Sequence, residues 1–326
     1  MGLTIIDAQL IRELLPMGEC IERLIPAMSA LSNGKVVNPT RMKMPAGGGG
    51  EHLLLMPSRA ENLSCYGAKL VTLHPNNPAQ ELPAVQGLMT LFDTDSGAAV
   101  AILDAAEITA IRTAAASGLA SKLLAREDAK TVGIFGTGVQ AQSHIDAMSA
   151  VRSIEEYVVW GRDPAKAQLF AAAQTARTGC HVRCAGEPAE AGACDIVCTV
   201  TGSDKPILEA SWLRPGVHLN LVGSHDLACR EVDTATVLAC SVYVDSMASC
   251  RSEAGDLMIP IAEGAIAESH IKGEIGQLLN GVIGGRTSSD EMTLYKSLGV
   301  ATQDLFAAQW VYEKAVAQGI GIVVDF

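Results

Sequence analysis

Aromatic residues are scarce in this sequence: five Phe, five Tyr and three Trp make up 4% of its 326 residues. That is too few for a stacking surface that would bind single-stranded nucleic acid. Basic residues are also in deficit, with 24 Lys and Arg against 36 Asp and Glu, a formal net charge of −12. Such a chain repels a phosphate backbone, so nucleic acid is excluded as an expected partner, and a small anion would need a local basic pocket. Long apolar runs are missing: none approaches the ~20 residues that cross a bilayer. The start, MGLTIIDAQLIREL, lacks the basic stretch and apolar core of a signal peptide. A cytoplasmic protein with no membrane partner is the expectation.

What is present reads as enzyme-like. Hydrophobic residues make up 48% and charged residues only 18%, with 31 glycines. The length favours two domains. The nine cysteines are an odd number and suit reduced thiols better than a disulfide framework. Cys180, Cys184, Cys194 and Cys198 have a spacing that zinc could use, but Cys184 and Cys198 lie in or beside apolar strand patterns, where cysteine packs as a small hydrophobe. No metal is expected.

Residues 7–32 show helical periodicity broken at Pro16, with Asp7 placed to cap the first turn, which predicts two short helices. Strand-like runs follow: VVNPTRMKMPA, EHLLLMPSR, CYGAKLVTLH and VQGLMTLFDTDSGAAVAILD. The last folds back at Asp93–Gly97, which implies a mostly antiparallel sheet. AAEITAIRTAAASGLASKLLAR, residues 105–126, is an alanine-rich helix capped by Asp104. Beyond it, apolar strands alternate with helical patterns, the signature of a doubly wound parallel sheet. MTLYKSLGVATQDLFAAQWVYEKAVAQGIG, residues 292–321, reads as one long helix, with IVVDF as a closing strand.

Within that alternating half, Gly136 and Gly138 of VGIFGTGVQAQSH directly follow an apolar strand and open a helix. This context aims backbone N–H groups and a positive helix end at a pyrophosphate, so the stretch predicts a dinucleotide, NAD or NADP. Ala141 in the third glycine position is a minimal departure, because that position serves close helix packing. The next strand ends at Gly161-Arg162-Asp163. Arg162 could pair with a 2′-phosphate, and Asp163 could meet a ribose hydroxyl, so both cofactors stay open.

Ahead of the loop, Arg41, Lys69 and Arg112 stand in strand-like or apolar surroundings. Burying an unpaired charge costs several kcal/mol, so Lys69 and Arg112 face either a cavity with an anionic partner or an acid such as Glu107. Lys43 reads as surface. Two arginines and a lysine near a nicotinamide make a site for a small carboxylate: an amino, imino, keto or hydroxy acid. His52, Arg59 and His74, with Arg41, are candidates for a second carboxylate.

YGAKLV, AIRTAAASGLAS, GIFGTGVQAQSH, DIVCTVT, LVGSHDLACREVD and TLYKSLGVATQDLFAA together resemble the ornithine cyclodeaminase/mu-crystallin family over nearly the whole chain. The resemblance implies an α/β architecture with a Rossmann dinucleotide-binding domain, residues 113–299. A second, α+β domain, residues 1–112 and 300–326, would bind substrate and form a homodimer. It also implies that Arg41, Lys69 and Arg112 hold the substrate, and that Thr113, Val139, Gln140, Thr201, Val222 and Gly223 line the dinucleotide. Where cyclodeaminases of the family carry an aspartate two residues after the glycine of the VGSHDLACRE motif, this chain has His225, with Asp226 one residue late. His225 either acts near the substrate or hydrogen-bonds a loop carbonyl. NAD(P)H-dependent reduction of a small imino acid to an amino acid such as aspartate, proline or alanine is therefore expected ahead of ornithine cyclodeamination or non-catalytic NADPH retention.

Overall fold

A computed structural model describes residues 2–325, apart from the side chain of Pro78. The chain divides into two compact units: one runs to Arg112 and resumes at Gly299, and the other is Thr113–Leu298. The first opens with β1 (Gly2–Ile6), α1 (Ala8–Leu14) and α2 (Met17–Ser32). Asp7 caps α1 by accepting from the Leu10 amide at 2.9 Å, and Pro16 separates the helices. Strands β2 (Val36–Val37), β3 (Met42–Pro45), β4 (His52–Ala60), β5 (Cys65–Leu73), β6 (Val85–Asp93) and β7 (Ala99–Asp104) follow. The run read as one strand from Val36 is broken between β2 and β3, where Pro39 cannot donate to a ladder. Helix α3 (Ala105–Leu124) carries the chain into the second unit, and Asp104 accepts from the Glu107 amide at 2.8 Å.

The second unit contains β8 (Thr131–Phe135), α4 (Val139–Val151), β9 (Glu156–Trp160), α5 (Pro164–Thr178), β10 (His181–Cys184), α6 (Pro188–Gly192), β11 (Ile196–Thr199) and β12 (His218–Leu221). It continues through α7 (Thr234–Ala239), β13 (Ser241–Val244), α8 (Met247–Glu253), α9 (Gly255–Ala262), β14 (Ile271–Glu274), α10 (Ile275–Leu279) and β15 (Thr293–Lys296). Its sheet runs β10-β9-β8-β11-β12-β15-β13-β14. Every pairing in it is parallel. The order reverses between β8 and β11, and in such sheets ligands bind outside the carboxyl ends of the strands at that switch point.

The last segment corrects the sequence reading. Residues 293–296 are not helical: β15 lies between β12 and β13 with every residue buried. A strand buried on both faces lacks the polar alternation that would mark it. Gly299, at φ +79°, then turns the chain into α11 (Ala301–Gln318), and β16 (Ile322–Asp325) closes the chain. The first unit's sheet has the order β16-β1-β7-β6-β5-β4-β2, with β3 also on β4. It is antiparallel except where β1 meets β7. Helix α11 packs on β4, β5 and β6. Strand alternation puts Met56, Ser58, Lys69, Met89 and Leu91 on one buried face, with Leu53, Leu55, Leu70 and Leu88 on the other. None of the described helices is long and apolar enough to cross a membrane.

Candidate active site

In the second unit the carboxyl ends of β8, β9 and β11 enclose a cavity of about 380 Å³. Gly136, Gly138, Arg162 and Thr201 line it, together with Trp160 and Ser203. Gly136 sits at φ +128°, and a Cβ there would stand 3.0 Å from the Val200 carbonyl oxygen, so only glycine fits. Gly138 is the N-cap of α4, and a Cβ on it would meet no protein atom within 4 Å. The backbone at the positive end of a helix thus borders open space, which suits a pyrophosphate. Ala141 is fully buried, in keeping with a packing role.

Val139 is 68% exposed at the start of α4. The carbonyl oxygen of its neighbour Gln140 receives His144 Nδ1 at 2.7 Å, while Ser117 Oγ lies 2.9 Å from Nε2. Burial pushes the His144 imidazole down to about 4, so it is a neutral brace for that turn. Asp163 is turned into the cap of α5, accepting from the amides of Ala165 and Lys166, and is not part of the cavity lining. Thr113 is buried in α3 and does not line the cavity either.

A buried carboxylate that the sequence reading missed fixes this crevice. Glu231 Oε1 accepts from the amide and hydroxyl of Thr201 at 2.8 and 2.7 Å, and its Oε2 accepts from Thr199 Oγ1 and the Gly223 amide, both at 2.8 Å. It thereby ties the end of β11 to the end of β12, where Val222 and Gly223 lie. The Glu231 amide donates to Asp256 Oδ1 at 2.7 Å. Asp256 Oδ2 in turn receives Lys296 Nζ at 2.8 Å, and the same ammonium donates to the Ser224 carbonyl at 2.6 Å. Burial and neighbouring Asp256 push the Glu231 carboxyl up, opposed by Lys296 and the threonine hydroxyls. Replacing Glu231 with alanine strands buried donors that cost ~1–3 kcal/mol each. We expect Glu231→Ala to lose ~3 kcal/mol or more of stability in denaturant unfolding. A loss within experimental error would show that the network is slack. A charge inside an apolar run, Lys296 in TLYKSLG, was the available signal.

In the first unit Lys69, on β5, is 1% exposed. Its Nζ donates to Thr109 Oγ1 at 3.0 Å and to Asp304 Oδ1 at 2.8 Å. Arg112 Nε donates to the same Asp304 oxygen at 2.8 Å, and its Nη1 to Gln303 Oε1 at 2.9 Å. Arg41 Nη2 reaches the Gly299 carbonyl at 2.9 Å. A Cβ on Gly299 would fall 2.4 Å from Arg112 Nη1, so this glycine lets both guanidinium groups converge. Burial and the charges of Arg112 and Arg41 push the Lys69 ammonium down to about 7, although Asp304 pulls the other way. The acid named from sequence, Glu107, is engaged elsewhere, by Arg12 Nη1 at 2.6 Å. The acid that Lys69 meets is 235 residues away in the chain, which no local pattern reveals.

His225 is exposed, with Nδ1 3.2 Å from the Gly223 carbonyl oxygen, the loop-carbonyl arrangement. Asp226 accepts from the Ala228 amide at 3.0 Å. Arg59 lies on the sheet face opposite Lys69, and His52 Nδ1 contacts the Gly50 carbonyl at 2.7 Å. Lys43 is exposed on β3.

A doubly wound parallel sheet with a glycine turn, a helix N-terminus and an open crevice at its switch point defines a Rossmann-type dinucleotide-binding protein. The chain belongs to the ornithine cyclodeaminase/mu-crystallin family, whose model matches residues 4–319. It is 36% identical over 324 residues, 99% of each chain, to a delta(1)-pyrroline-2-carboxylate reductase of Bacillus cereus. The structure of Thermococcus litoralis delta(1)-pyrroline-2-carboxylate reductase in complex with NADH and L-proline superposes with a TM-score of 0.95 at 36% identity, covering 98% of this chain and 100% of that one. An archaeal alanine dehydrogenase dimer with bound NAD gives a TM-score of 0.93 at 29% identity, with 100% of both chains covered.

Proposed function

We propose that this protein reduces the C=N bond of a small imino acid with NADH or NADPH, and that its substrate is 1-pyrroline-2-carboxylate, with L-proline as product. The observation that carries the reading is the pairing of two buried cations, Lys69 and Arg112, on one oxygen of a single carboxylate, Asp304, with the Arg41 guanidinium close enough to act on Lys69. A buried excess of cations is costly unless an anion completes it. Arg112 is held through Nε and Nη1, which leaves Nη2 for the substrate carboxylate, and Arg41 adds a second guanidinium. Lys69, when protonated, gives its proton to the imine nitrogen and stabilises the charge there. The reduced nicotinamide supplies the hydride that the imine carbon takes up, so one hydride and one proton convert C=N to CH–NH. The crevice lined by Gly136, Gly138, Arg162 and Thr201 holds the dinucleotide, and Thr113, Val139, Gln140, Val222 and Gly223, which do not line it, are assigned to the cofactor by the family resemblance alone.

Three features favour this substrate. Two of the three relatives above, both 36% identical, carry that activity in their names. Of the candidates for a second carboxylate, Arg59 is directed away from the Lys69 face and His52 onto a backbone carbonyl, so neither of these two serves a dicarboxylate such as iminosuccinate. Cyclodeamination would use a carboxylate where His225 stands, and neighbouring Asp226 is committed to the Ala228 amide. Arg162 lines the crevice while Asp163 caps α5, which keeps NADPH beside NADH as reductant. The test is oxidation of each reduced dinucleotide with 1-pyrroline-2-carboxylate, iminosuccinate, and pyruvate plus ammonia.

A homodimer completes the proposal. The sheet face opposite Lys69 presents Leu53, Leu55, Leu70 and Leu88, the last 50% exposed, and Met42 and Met44 extend it on β3 at 63% and 51%. An apolar face of this kind marks an association surface. Light scattering is expected to give the mass of two chains, and Leu88→Arg the mass of one; a monomeric wild type removes the dimer.

A further inference from the structure

We propose that Asp304 is a positioning residue that holds Lys69 as an ammonium beside Arg112, and so keeps the site loaded with the proton that imine reduction consumes. The inference rests on the imine-reducing reading. The carboxylate is fully buried, and its two oxygens are unequal: Oδ1 takes both Lys69 Nζ and Arg112 Nε at 2.8 Å, while the buried Oδ2 has no hydrogen-bond partner. All of its hydrogen bonding is therefore directed at these two cations.

The surroundings leave Asp304 alone in this task. Lys69 faces Met56 on β4 and Met89 on β6, neither of them titratable. From α3 come Thr109, a neutral partner, and Arg112, which disfavours the ammonium, as does Arg41 from the segment before β3. From α2, Cys20 faces Arg112 and Asp304, but burial pushes its thiol up to about 12, so it brings no charge. Among the described residues, Asp304 on α11 is the carboxylate that is hydrogen-bonded to Lys69 and favours its ammonium. Without it, burial and two guanidinium groups drive the amine to its neutral form, which has no proton to give.

The arrangement also supplies a clean variant. Because no donor faces Oδ2, Asp304→Asn can place its amide NH2 there and keep its carbonyl oxygen on Lys69 and Arg112, so that chiefly the charge changes. The alkaline limb of kcat/KM, which in the wild type falls above about 7, is expected to move down by roughly one to three pH units in Asp304→Asn. Asp304→Glu, which keeps the charge, should leave the limb near its wild-type position. The Nζ signal of Lys69 in protein labelled with [15N]lysine, assigned with Lys69→Met, should show the same displacement with no substrate or cofactor present. An unmoved Nζ titration in Asp304→Asn overturns the inference. So does a limb displaced by Asp304→Glu as far as by Asp304→Asn, which would make the role one of shape. If Asp304→Asn does not fold, Asp304→Ser replaces it in the Nζ titration, with the same displacement expected and an unmoved titration again overturning the inference. A shifted Nζ titration in a protein that reduces no imine would sink the reductase reading while leaving the Lys69–Asp304 coupling standing.

Discussion

Lys69→Met is expected to lower kcat for imine reduction by about 10³-fold while leaving the fold intact. The magnitude follows from the loss of a positioned general acid, which contributes ~10²–10⁴-fold. Folding should survive because Asp304 keeps its bond from Arg112 and is not left as an unpaired buried charge. The pH profile gives a second signature. With Lys69 pushed down to about 7, the free wild-type enzyme carries the proton below that pH and loses it above, so kcat/KM falls by about tenfold per unit on the alkaline side. Residual activity of Lys69→Met should lack that limb. Stopped-flow reduction at several pH values reads both effects, and near-normal turnover with an unchanged limb would remove Lys69 from the mechanism.

Arg112→Met should instead act through substrate affinity. A charge-assisted contact to a carboxylate contributes ~1.5–3 kcal/mol, so loss of the Arg112 contact should raise KM for the imino acid by roughly 10- to 10²-fold. Gln303 holds the guanidinium in plane, so Arg112→Lys restores charge but not the fork, and recovers only part of the loss. The dissociation constant of NADH should stay near the wild-type value, because the Arg112 contacts to Gln303 and Asp304 all lie in the first unit. A fall in NADH binding as large as the fall in imino acid binding would show that Arg112 supports the whole structure and does not clamp a carboxylate.

The parts of this account that were legible in the sequence are local ones. Gly136 and Gly138 could be read because the apolar strand before them and the helix after them are neighbours in the chain. Lys69 and Arg112 stood out as charges flanked by apolar residues, which burial makes costly. The acid that answers them could not be read, since α11 meets β5 only through tertiary packing; ATQDLFAA, an acid in an apolar helix, was its sole trace. The same limit hid Glu231, Asp256 and Lys296, three charges from separate segments that meet beneath the crevice. Strand β15 reads in sequence as the start of a helix because full burial erases the period of two. His225 illustrates the opposite case. Its position suggested chemistry, and the structure gives it an exposed place on the Gly223 carbonyl.

The most direct test of imine reduction mixes the purified protein with 1-pyrroline-2-carboxylate and either NADH or NADPH, follows loss of the reduced nicotinamide, and assays the product by chiral chromatography. The account predicts one L-proline formed per reduced dinucleotide consumed, with turnover lowered about 10³-fold in Lys69→Met. Conversion of ornithine to proline and ammonia with no net change in the dinucleotide, together with inert imines, would contradict it.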